Sequence, residues 1–136
     1  MLNEWTVEYI KHKDVFARSI VELTLKDNII YVKHKKHNHN FLILEKLDDK
    51  NKLFDALKSI KTDKITLVTT NSKSNFEFLK ANWKEFSEFD SQFNVIFVNP
   101  KSVLEHKWIV FPMTHQKISE DVNLGLQSLY DTVEPA

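Results

Sequence analysis

The chain has 136 residues, 42% hydrophobic and 28% charged, which suits one folded domain with an adequate core rather than a disordered segment. Its 19 basic and 19 acidic side chains cancel, so no global field draws it to nucleic acid or membrane. With no cysteine and one glycine, Gly125, it lacks thiol nucleophiles, disulfides, cysteine-held metals and every glycine-rich phosphate loop.

Residues 2–18 fit two periods. Leu2, Trp5, Tyr9, Phe16 and Ile20 fall near helical spacing while Trp5, Val7 and Tyr9 alternate, and the helix is the favoured reading. The period then changes to two. Val21, Leu23 and Leu25 alternate with Glu22 and Thr24, and Lys26-Asp27-Asn28 supplies a turn before Ile29–Val32. A polar stretch, 33–40, leads to Phe41–Leu44, and the three runs predict an antiparallel meander. Past Asp48-Asp49 the helical period returns in Leu53, Phe54, Leu57 and Ile60. Ile65–Thr69 is a β-branched strand.

Ser74 and Glu77 have capping-box spacing, and the helix over 74–90 that they open places Phe76, Leu79, Trp83 and Phe86 on one face. Strands follow at Phe93–Val98 and Trp108–Phe111, stopped by Pro100 and Pro112. Ser119, Glu120 and Asp121 start a last helix with Val122, Leu126, Leu129, Tyr130 and Val133 inside. Gly125 lies within it, where it costs about 1 kcal/mol relative to alanine. The expected fold class is α/β, with α+β as the alternative: one domain over residues 1–136, a mixed sheet beginning with the meander, and helices packed on it.

No apolar run is long enough to span a membrane, and MLNEWTVEYI lacks the basic start and apolar core of a secretory signal. A cytoplasmic location, no membrane partner and no cofactor are the expectations.

Three places carry candidate chemistry. In Lys33-His34-Lys35-Lys36-His37-Asn38-His39, a strand would put His37 and His39 on one face, within chelating reach. The lysines and the lack of a carboxylate argue against a metal. The stretch reads first as a solvated hairpin connection between two strands; as the alternative, Lys33, Lys35, Lys36 and His37 form an anion patch, the histidines adding charge below about pH 6.5. The second place assumes that the strands at Ile65, Phe93 and Trp108 are parallel. Their carboxyl ends would then gather Thr70, Asn71, Asn99 and Thr114 as ligand-binding residues around His115, a candidate general base.

The third place rests on element order. Helix, three-strand meander, helix and strand over residues 2–70 resemble the core of restriction-endonuclease-like domains. The resemblance implies a metal-holding acid on the second strand and Glu-x-Lys on the third. Here Tyr31-Val32-Lys33 supplies no carboxylate, and Glu45 and Lys46, being adjacent, point to opposite faces, so the order implies at most a degenerate nuclease.

With no converging set legible, the expected function is a non-catalytic binding or assembly module. The alternatives are a small hydrolase or transferase built on His115, or the degenerate nuclease, and the inventory leaves catalysis open. One arginine, Arg18, limits nucleic-acid contact to weak, non-specific binding through Lys33, Lys35 and Lys36. Phe78, Phe89 and Leu124 fall off the inward faces of their helices, which predicts self-association as a homodimer.

Overall fold

Leu2, Thr6 and Ile10 repeat at one-turn spacing and are buried together, so α1 spans Leu2–Lys13 in the computed structural model, which describes residues 2–136. Thr6 donates its hydroxyl to the Leu2 carbonyl at 2.7 Å, and Trp5 stacks on Tyr9. The helix ends before residue 18 because Asp14 is used to turn the chain. Its Oδ1 accepts from the Ser19 N–H and hydroxyl, both at 2.9 Å, and its Oδ2 from the Ile20 N–H at 3.1 Å.

Among the described residues six strands form one sheet in chain order: β1 (Ile20–Lys26), β2 (Ile29–His34), β3 (Asn38–Ile43), β4 (Lys64–Thr70), β5 (Phe93–Val98) and β6 (Lys107–Val110). The meander β1–β2–β3 is antiparallel, and Asp27 takes a left-handed φ of 58° in its first turn, a conformation that Asp tolerates better than most residues. Strands β3, β4 and β5 are parallel. Helix α2 (Lys50–Ser59) makes the first crossover, and α3 (Lys73–Ala81) with α4 (Trp83–Ser87) makes the second.

The expectation that β6 continues this parallel set is corrected: β6 runs antiparallel to β5. Residues 99–106 are too few for the dozen-residue crossover that a parallel neighbour needs.

Alternation along the strands divides the core in two. Leu42, Leu67, Val95, Phe97 and Trp108 face the later helices, while Ile30, Val32, Phe41, Val68, Ile96 and Val98 face α1. The chain is a single α/β fold with helices on both sides of a mixed sheet.

The later helices depart from the sequence pattern in ways that matter. Ser72, not Ser74, caps α3, its hydroxyl accepting from the Asn75 N–H at 3.2 Å. The expected helix over 74–90 breaks at Asn82, and the break re-aims the rings that follow. Phe78 meets Phe86 edge-on at 6.3 Å, and Phe89 packs against Phe54 (6.1 Å) and Phe93 (4.7 Å). Both are half-buried within their own chain, so they no longer argue for self-association; Leu124 stays 66% exposed.

Pro112 does not simply stop a strand but opens α5 (Pro112–Ile118), a helix the periodicity did not reveal. The last helix, α6 (Val122–Tyr130), is capped by Asp121, whose carboxylate accepts from the Leu124 N–H, and Val133 is buried beyond its end. No helix among the described residues is long and apolar enough to cross a membrane.

Candidate functional site

The reversal of β6 splits the expected histidine site. Thr70, Asn71 and Asn99 lie at the carboxyl ends of β4 and β5. Thr114 and His115 lie on α5, which follows the end of β6 and so stands at the opposite end of the sheet.

The first group is structural in its contacts. Asn71 is fully buried. Its amide donates to the carbonyls of Val133 (3.3 Å) and Glu134 (3.2 Å), and its side-chain oxygen accepts from Trp108 Nε1 at 2.8 Å. Asn99 donates to the Glu134 carbonyl at 2.9 Å, and Ala136 N–H reaches the Asn71 carbonyl at 2.8 Å. The crevice where open α/β sheets hold ligands is thus filled by residues 133–136 of the same chain.

Next to it stands Asn75, 1% exposed, which the sequence reading passed over. Its amide donates to the carbonyls of Glu45 (2.8 Å) and Thr70 (2.9 Å) and to Thr69 Oγ1 (3.0 Å), and its oxygen accepts from the Leu47 N–H at 2.9 Å.

His115 is half-buried and packs edge-on against Trp83 at 5.6 Å, and Trp83 Nε1 donates to Gln116 Oε1 at 2.5 Å. Its Nε2 is buried without a hydrogen-bond partner among the described residues. The ring lies on Gly125, where an added Cβ would sit 2.9 Å from His115 Cε1 and 3.0 Å from Nε2. That close approach explains why glycine occupies the interior of α6. Thr114 is exposed.

The histidine-rich turn is also rearranged. His37 does not share a strand face with His39; it stacks on His34, 4.5 Å between ring centroids. Ser19 gives its hydroxyl proton to Asp14, so at the 2.7 Å contact with His34 Nδ1 it is the imidazole N–H that donates. In the same way Thr66 donates to Asn94 Oδ1 (2.5 Å) and accepts from His39 Nε2–H at 2.7 Å.

Burial, reinforced by Lys64 and Lys13, pushes the His39 pKa down to about 3. Burial and the neighbouring His37 lower that of His34, with Asp14 opposing. The expectation that these histidines gain charge below about pH 6.5 is therefore corrected for His39 and weakened for His34. Among the described residues no three His, Asp or Glu side chains are placed to hold a metal ion.

What the fold does gather is lysine. Lys33, Lys35 and Lys36 lie at the end of β2 and in its turn, with Lys61 before β4, Lys64 at its first residue and Lys13 at the end of α1. Lys64 stands opposite His39 in the β3–β4 ladder, and Lys13, whose Nζ lies 5.7 Å over the Tyr9 ring, is near enough to His39 to help lower its pKa. Around the corner a shallow cleft of about 440 Å³ lies on the exposed face of the meander. Thr24, Tyr31, Lys33, Asn38, Asn40 and Lys61 line it, and Glu22 is its one acid. Asp63 is close by but occupied, accepting from the Asn38 N–H at 2.8 Å.

The element order that carries the endonuclease-like resemblance is present over 2–70, with α2 crossing from β3 to a parallel β4. Its chemistry is not assembled in the same way. Glu45 and Lys46 follow the end of β3, and the Glu45 carbonyl is bound by Asn75. Asp49 caps α2 through the Lys52 N–H at 3.1 Å. No protein-family model, curated protein or solved structure matches the chain.

Proposed function

We propose that the chain is a non-catalytic binding module that meets nucleic-acid phosphates through the cationic end of its sheet. One observation carries the reading: lysines from four separate segments, α1, the β2–β3 turn, the α2–β4 link and β4, converge there. A cluster of point charges on flexible stems neutralises phosphates without reading bases, which is the work of arginine forks and rigid amides. Two features support the same reading. The polar side chains of the catalytic alternative are divided between opposite ends of the sheet, and Asn71 and Asn99 spend their hydrogen bonds on the chain's own residues 133–136.

The test is a fluorescence anisotropy titration of a labelled 20-base-pair duplex at several salt concentrations. If about four lysines meet phosphates, the slope of log K against log salt is about −3.6. The Lys33→Gln/Lys35→Gln/Lys36→Gln variant reduces that slope by up to about 2.7 and weakens binding to unrelated sequences equally. No binding at 50 mM salt, or a sequence-selective complex indifferent to salt, refutes the proposal.

A further inference from the structure

Strand β1 is the longer of the two edges of the sheet, and its outer side has no partner strand among the described residues. Which of its backbone groups face outward follows from the ladder. His34 N–H goes to the His37 carbonyl and the Asn28 carbonyl accepts from Ile43 N–H, so even-numbered residues of β2 turn toward β3. The alternation of an antiparallel ladder then turns Ile29, Tyr31 and Lys33 toward β1, where they pair with Lys26, Thr24 and Glu22. Leu23 and Leu25 are left with their N–H and C=O directed away from the sheet. Between Ile20 and Glu22 a bulge ends the regular ladder, confining any further pairing to residues 22–26.

That five-residue stretch, Glu22-Leu23-Thr24-Leu25-Lys26, is complementary to itself when reversed. In an antiparallel pair centred on Thr24, each Glu22 stands opposite Lys26 of the other copy, Leu23 opposite Leu25, and Thr24 opposite Thr24. Charges and threonines share one face and the leucines share the other, the face that α1 covers further in. Centring on Leu23 sets Glu22 against Thr24, and centring on Leu25 sets Lys26 against Thr24. Only the Thr24 register matches both charges and gives Leu23 and Leu25 reciprocal backbone bonds. Exposed apolar side chains also concentrate on this flank: Leu25 is 45% exposed, Val21 60%, and Phe16, in the turn that leads into β1, 97%.

We propose that two copies of this chain pair through β1, antiparallel about a two-fold axis at Thr24, joining their sheets edge to edge. The β1 edge adjoins the cationic end, where Glu22 pairs with Lys33, but self-association is read from mass and phosphate contact from duplex binding, so either proposal can fail without the other.

Sedimentation velocity at ~100 μM, well above micromolar dissociation constants, tests it on the whole protein. The expected result is a species of twice the 16.1 kDa chain mass. Lys26→Glu sets like charges opposite each other at both symmetric positions and raises the dissociation constant about 10-fold. The Glu22→Lys/Lys26→Glu double variant restores the match and returns the constant to within about 3-fold of the parent. Leu25→Pro removes an outward N–H without touching the β2 ladder and gives a monomer, whereas Lys26→Glu shifts the dissociation constant. Circular dichroism on each variant separates dissociation from unfolding. A monomeric parent overturns the proposal and leaves the edge to an extended peptide. A dimer indifferent to Lys26→Glu, or one that the double variant does not recover, overturns it as well.

Discussion

Replacing Gly125 with alanine sets two effects of known size against each other. At an open position inside a helix the change stabilises by about 1 kcal/mol, because glycine loses more backbone freedom on folding. Here the new methyl would stand 2.9 Å from His115 Cε1 and 3.0 Å from Nε2, with Ser119 Oγ at 3.3 Å. The imidazole can move only a little, since Trp83 packs edge-on against it. Forcing a methyl into such a contact costs about 1–3 kcal/mol. The expected net result is a loss of about 1 kcal/mol. In a His115→Ala background the two tightest contacts are gone, leaving Ser119 Oγ at 3.3 Å to give by a few tenths of an ångström, and the same substitution stabilises by up to about 1 kcal/mol. Urea denaturation followed by tryptophan fluorescence, with an unchanged slope on denaturant, measures all four proteins. The expected coupling is about 2 kcal/mol. If Gly125→Ala stabilises both backgrounds equally, the close approach of His115 is not what keeps glycine in α6.

Three further outcomes follow from contacts already described. Folding keeps His39 neutral down to about pH 3, whereas an unfolded histidine takes up its proton near 6.5. The unfolded chain therefore binds the extra proton first, and stability drops as the pH is lowered through that window by at most about 1.4 kcal/mol per unit. His34, also lowered, acts in the same direction. Denaturation at pH 4 to 7 should show a shallower slope for His39→Gln, which retains a donor for Thr66; identical slopes would remove His39 as the cause. Asn75→Ala breaks four hydrogen bonds at a site only 1% exposed and should cost about 3 kcal/mol by urea denaturation, whereas a cost under 1 would mean water replaces the amide. Phe78→Glu should lower stability by about 2 kcal/mol with no specific change in mass, since the ring packs on Phe86 within its own chain; a change in mass at unaltered stability would restore this helix as an interface.

The period of the apolar residues made the meander, α2, β4 and β5 legible, because each buries one face or both against its own chain. Direction was harder. A strand such as Trp108–Val110 reads the same forward and backward, and only the short link 99–106 carried the information that β6 returns antiparallel. Helix α5 was hidden because Pro112 serves equally to end a strand and to open a helix. The single-helix reading of 74–90 failed at Asn82, where a one-residue break turned Phe78 and Phe89 from surface candidates into packed rings. At the candidate sites, residue type was visible but occupation was not. Asn71 and Asn99 look like ligand-binding amides until residues 133–136 are seen bound to them. The lysine cluster was half visible, since Lys33, Lys35 and Lys36 adjoin in sequence while Lys13, Lys61 and Lys64 are brought beside them by folding.

The bonds from Asn71 to Val133 and Glu134 also set a schedule for synthesis. Asn71 and Val133 are separated by 62 positions, so a ribosome adding 5–20 residues per second needs about 3–12 s to make the stretch between them. Through that interval the Asn71 amide, at the end of the central strand β4, has no carbonyl from the far segment to bind. Val133, 3% exposed when folded, has yet to be added to the core beneath α6. The meander and α2 can form early from nearby partners, but this end of the sheet closes only after residue 134 leaves the exit tunnel. Until then the Asn71 and Asn99 amides, at the ends of the parallel strands, lack the carbonyls that satisfy them in the folded chain.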